Sequence, residues 1–121
     1  MVEARALVVV ALGGAIGASV RFLLSQQFPG IWTIAVINIV GSLLLGVLAA
    51  MLGPDRLWRL FLGVGVLGGF TTYSTFAVDV VQNPGSAALY VLATLVPALV
   101  AARLGMGVGE YVHARRRGET A

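Results

Sequence analysis

The chain has 121 residues, 59% of them hydrophobic and only 11% charged, which is one domain's length with too little polar surface to face water, so a soluble fold is excluded. It has no cysteine, one histidine (His113) and five scattered acids (Glu3, Asp55, Asp79, Glu110 and Glu119), which excludes disulfide, thiolate, zinc and paired-carboxylate chemistry and leaves no catalytic residue. The net charge is +3 with all eight basic groups arginine, and half of these lie near the chain ends, where they read as topology signals for insertion and not as a nucleic-acid surface.

A hydrocarbon core takes about 20 apolar residues per helix, and four segments meet that length. The first spans about 6–24 and carries Gly13, Gly14, Gly17 and Arg21. Its glycines and arginine, and the spans that follow, set it apart from a cleaved signal peptide. The second spans about 32–52, carries no charge, and holds Asn38, whose amide offers two donors and an acceptor. On residue type alone Asn38 suits an interhelical hydrogen bond. Gly53-Pro54-Asp55 then interrupts the chain.

The third segment spans about 57–80 and contains Gly68-Gly69-Phe70-Thr71-Thr72-Tyr73-Ser74-Thr75-Phe76. Two glycines followed by four hydroxyl residues make poor continuous helix, so the helix is expected to break within this stretch. A break at the membrane midplane frees carbonyls, which are cation ligands, and irregular backbone at that depth must be buried or border water. Tyr73 and Phe76 share a helix face, and their ring edges are positive. Asn83-Pro84-Gly85 ends the segment. The fourth spans about 86–109, with Tyr90 and Thr94 as an i, i+4 hydroxyl pair and Pro97 as an expected bend, and a basic tail covers 110–121. The fold class is therefore all-α integral membrane, with four transmembrane helices and a broken third, forming a single domain over 1–121.

Four spans put both termini on one side, with Arg5, Arg56, Arg59, Arg115, Arg116 and Arg117 there and Arg21 opposite. That bias predicts cytoplasmic termini, and Arg103, about a turn inside the fourth span, is set to snorkel. The interior offers donors and ring edges but almost no carboxylate, a lining suited to a small anion.

These motifs resemble those of the Fluc (CrcB) fluoride channels, over all four spans. The resemblance rests on residues 13–22 of the first helix, on Asn38-Ile39-Val40-Gly41-Ser42 with Gly46 in the second, and above all on residues 68–76 of the third. It implies a passive, fluoride-specific channel of a prokaryotic plasma membrane, lowering cytoplasmic fluoride, built as an antiparallel dimer with two pores at the subunit interface. It implies a structural, untransported sodium ion (Na+) on the two-fold axis, held by the backbone carbonyls of Gly68 and Thr71. It implies pore roles for Asn38, Tyr73, Phe76, Ser74, Thr75, Tyr90 and Thr94, with Arg21 near the pore entrance.

The sequence departs from that pattern at Thr33 and Ile34, where a Gly-Thr pair is usual, at Leu43 in place of an aromatic, at Tyr73 in place of phenylalanine, and at Ala98, which cannot donate. With the arginine bias, the departures suggest a heterodimer with an inverted paralogue as an alternative to an antiparallel homodimer. Two other readings compete. A small multidrug-type four-helix exporter needs an acid in the first helix, and 6–24 contains none. A non-conducting scaffold explains the glycines but gives the hydroxyl-rich stretch no purpose.

Overall fold

The computed structural model describes residues 3–51 and 56–120. The expected interruption at Gly53-Pro54-Asp55 lies outside the described residues. Everything regular in the described chain is helical, and four helical segments are long and apolar enough to cross a bilayer: Ala4–Gln27, Ile31–Met51, Arg56–Gln82 and Ala87–Gly118. Lipid offers the backbone no hydrogen bonds, so each crossing segment must satisfy its own.

Helix α1 (Ala4–Gln27) closes with the Phe28 N–H donating to Leu24 O at 2.9 Å. Pro29 follows, and Gly30 turns the chain at φ +122°, a conformation that favours glycine. Helix α2 (Ile31–Met51) begins at once, and the Thr33 hydroxyl donates to Phe28 O, tying the two ends together. The third span starts as a helical turn, α3 (Arg56–Arg59), becomes π-helical over Leu60–Leu67, and returns to one α-turn, α4 (Gly68–Phe70). Thr71 and Thr72 are extended, at φ/ψ −80/157° and −147/124°. Helix α5 (Tyr73–Gln82) resumes the span, and Asn83 caps it through its N–H and Nδ2, both donating to Asp79 O. Helix α6 (Ala87–Thr120) completes the chain.

The third span breaks within the expected stretch, at Thr71-Thr72, and Gly68-Gly69 just before it keep helical geometry. Gly69 serves packing, since a Cβ there would come within 2.9 Å of Gly14 Cα. One expectation is corrected. The tail 110–121 is no separate segment, since α6 runs on to Thr120; Glu110, Ala114 and three arginines are good helix formers. At a rise of 1.5 Å per residue its 34 residues extend about 51 Å, well past a hydrocarbon core of about 30 Å. The other helix ends fall within about three residues of the sequence expectation.

Two glycine seams hold the helices in pairs. Gly13 and Gly17 of α1 face the π-helical segment, where a Cβ on Gly13 would lie 2.8 Å from Val66 N and one on Gly17 2.7 Å from Phe70 N. Gly46 of α2 and Gly105 of α6 form the other seam, 3.0 Å from Met106 N and Val47 N on the same construction. Without an aqueous hydrophobic effect, such backbone-to-backbone contact is what packs membrane helices. A small core of Ile34, Ala35, Ile37, Phe76 and Tyr90 joins α2, α5 and α6. Elsewhere large apolar side chains such as Leu12, Phe22, Leu92 and Leu99 point outward, as a lipid-facing surface requires.

Candidate ion site at the break of the third span

The break sits against α2. Gly41 leaves the space that the Thr71 methyl occupies, so the extended residues approach the helix closely. Asn38, one turn earlier, then pairs with Thr72 twice: Thr72 N–H donates to Asn38 Oδ1 at 2.9 Å, and Asn38 Nδ2 donates to Thr72 O at 3.0 Å. The Thr71 N–H and hydroxyl both donate to Leu67 O, at 2.9 Å each, finishing the preceding helix. The Thr72 hydroxyl starts the next one by accepting from Thr75 N at 3.1 Å, an N-cap.

These bonds decide which carbonyls are left over. In an unbroken helix Gly68 O would accept from Thr72 N, and Thr71 O from Thr75 N. Both donors are taken by side chains, Asn38 and Thr72. Two carbonyls thereby lose their ordinary helix donors within one turn of each other.

Beside the break is a cavity of about 300 Å³. Asn38, Gly68, Thr71, Tyr73, Phe76 and Thr94 line it, together with Ser42, Thr72 and apolar residues, and none carries a formal charge. Thr94 is 2% exposed, and its hydroxyl has no hydrogen-bond partner among the described residues. A buried hydroxyl left unpaired costs about 1–3 kcal/mol, so the position favours an occupant that accepts a hydrogen bond. Asn38 has a second Nδ2 proton beyond the one given to Thr72.

The two aromatic residues differ. Phe76 is buried at 8% exposure and packs on Tyr90, with ring centroids 5.2 Å apart. Tyr73 is 81% exposed, its ring 6.2 Å from that of Phe76, and points away from the protomer. Tyr90 is fully buried, and Trp32 meets it edge-on at 5.8 Å. Its hydroxyl donates to Asp79 Oδ2 at 3.3 Å and does not reach the cavity lining.

Of the residues expected at the site, then, the cavity gathers Asn38, Gly68, Thr71, Tyr73, Phe76 and Thr94. It does not gather Ser74, Thr75, Tyr90 or Arg21. Ser74 is exposed, 3.3 Å from the Thr72 hydroxyl. Thr75 supplies its N–H to the cap, and Arg21 is half-buried on α1. Sequence reasoning passed over Thr72, although a hydroxyl residue just ahead of a new helix is an N-cap signal. It also passed over Asp79, although an acid within a span ordinarily has a partner there.

The family model described as "CrcB-like protein, Camphor Resistance (CrcB)" matches residues 8–106. The chain is 72% identical over 102 residues to "Fluoride-specific ion channel FluC 1" of Rhodococcus jostii, covering 84% of this chain and 82% of that protein. It is 42% identical over 128 aligned positions to "Fluoride-specific ion channel FluC 2" of Leifsonia xyli, covering 93% and 88%. It is 41% identical to "Fluoride-specific ion channel FluC" of Erythrobacter litoralis, covering 80% and 86%. The match spans all four helices and the break between α4 and α5, and the chain belongs to the CrcB/FluC family of multi-pass membrane proteins.

Proposed function

We propose that the chain is a subunit of a fluoride-specific ion channel, and that fluoride passes through the uncharged cavity beside the break of the third span. The single observation that carries this reading is the buried Thr94 hydroxyl, unpartnered among the described residues, in a cavity that also holds the Asn38 amide. Fluoride is small and strongly hydrated, so leaving water requires replacement donors. The Thr94 hydroxyl, the free Asn38 proton and the edge of Phe76 supply them. Tyr73 reaches outward from the same helix face, where a second subunit would complete the lining. A conducting site must bind well enough to admit the ion and weakly enough to release it, which suits neutral donors better than an arginine. Ser74, Thr75 and Tyr90 serve this path by shaping the break and by packing Phe76, and Arg21 attracts anions from the α1 side. Flow is passive and, in a cell, outward.

The assembly reading is an antiparallel dimer in the plasma membrane, with a sodium ion held by the carbonyls of Gly68 and Thr71. The diverted helix donors support those two ligands, which are hard oxygens suited to such a cation. When bound, sodium supplies positive charge that fixes these carbonyls and the two subunits around them. The dimer is a homodimer or a fixed heterodimer with an inverted paralogue; the arginine bias, which also orients both termini to the cytoplasm, and Ala98 at the end of the hydroxyl track support the second.

Efflux from liposomes tests the function. Purified chain, alone or with an inverted partner, is expected to release fluoride and retain chloride. Equal release of both anions, or none in either preparation, contradicts it. Robust fluoride flux from a stable homodimer removes the pairing requirement alone.

A further inference from the structure

We infer that Asn38 is a positioning residue that holds the third span open and thereby exposes the Gly68 carbonyl. Its side chain takes both main-chain groups of Thr72, as an opposing strand would, at 2.9 and 3.0 Å. The Thr71 and Thr72 backbone has the extended geometry that such pairing needs. The α2 surface is shaped for it. Gly41 admits the Thr71 methyl, and the Asn38 main-chain carbonyl accepts the Ser42 hydroxyl at 2.8 Å.

No other side chain of this length does the same work. Aspartate lacks the donor, and serine or threonine cannot reach a donor and an acceptor on one residue together. Leucine offers neither. Without the amide, the Thr72 N–H has one ordinary protein partner left, the carbonyl of Gly68. The helix then closes and withdraws that oxygen from any cation. One proton of the same amide stays free toward the cavity, so a single residue couples the cation ligands to the anion path. The ligand half of this inference rests on the sodium reading above, and the conformational half does not.

Threonine-labelled protein in liposomes, observed by solid-state NMR, tests it. Wild type is expected to show extended carbon shifts at Thr71 and Thr72. Asn38→Ala and Asn38→Leu are expected to move Thr72 toward helical shifts. The same variants are expected to raise the sodium concentration needed for thermal stabilisation by about tenfold, the scale of about 1.4 kcal/mol. Asn38→Leu keeps side-chain bulk should the alanine variant fold poorly. Thr94→Val, which alters the anion path, is expected to leave both readouts in place. Extended shifts retained in both Asn38 variants overturn the inference, as does an unchanged sodium midpoint in variants whose break has closed. A wild type stabilised equally by sodium and by N-methylglucamine sinks the sodium reading alone, and the threonine shifts still judge the latch.

Discussion

The third span and the fourth helix carry opposite sequence signals and behave contrary to them. Helix α6 holds Pro97 and the glycines Gly105, Gly107, Gly109 and Gly118, yet runs unbroken for 34 residues. The third span has no proline between Arg56 and Gln82, its glycines at 68 and 69 are helical, and it breaks at two threonines. In a bilayer the backbone has nowhere to send an unpaired group, so residues that merely weaken a helix do not end one. A helix ends where side chains offer its N–H and C=O groups other partners. Asn38 makes that offer to the Thr72 main chain, and the Thr72 hydroxyl makes it to the Thr75 N–H.

The sharpest way to break this comparison is through the glycines. If they serve close approach and not flexibility, Gly105→Val in α6 puts its side chain against Leu43 and Val47 backbone and costs about 3 kcal/mol or more, read as lost folded protein or a much lower melting temperature. A flexible-hinge role would instead leave the melting temperature unchanged. The next effect is at the threonines. Thr72→Val removes the cap on α5 and is expected to cost about 1 kcal/mol, with faster hydrogen exchange at residues 73–76. Exchange unchanged there would mean that the cap does not hold the restart. The smallest effect is at Gly107, where a Cβ meets open space. Gly107→Ala is expected to stabilise by about 0.5–1 kcal/mol through helix propensity, with flux retained.

How much of this was legible in the sequence follows the same division. Span number and rough limits came from runs of apolar residues, a local signal that the structure repeats within a few residues. The break was legible from the hydroxyl-rich stretch, within which it falls at Thr71-Thr72. The adjoining glycines stay helical although glycine is a poor helix former in water, and Gly69 is wanted for contact with α1. The bonds that set the break join Asn38 to Thr72, 34 residues away, and nothing in the pattern around either residue pairs them. Thr72 as a cap was readable and went unread. The path of α6 through its arginines was readable too, from helix propensity, once the end of the apolar run is not taken for the end of the helix.

Tyr90 shows the same limit within the site. Spacing put it with Thr94 on one face, and both are buried, but its hydroxyl is spent on Asp79. Which of two hydroxyls stays available depends on a neighbour from another helix. The free one, Thr94, is where the account places the anion.

Fluoride efflux from liposomes carrying Thr94→Val, measured against wild type with chloride as the control, tests that placement most directly. The substitution keeps side-chain shape and deletes the unpartnered donor, and a hydrogen bond to an anion is worth about 1.5–3 kcal/mol. A fall of about tenfold or more in fluoride flux, with chloride still retained and the protein equally stable, is the predicted result. Wild-type flux in the variant would contradict it and move the anion path away from the break.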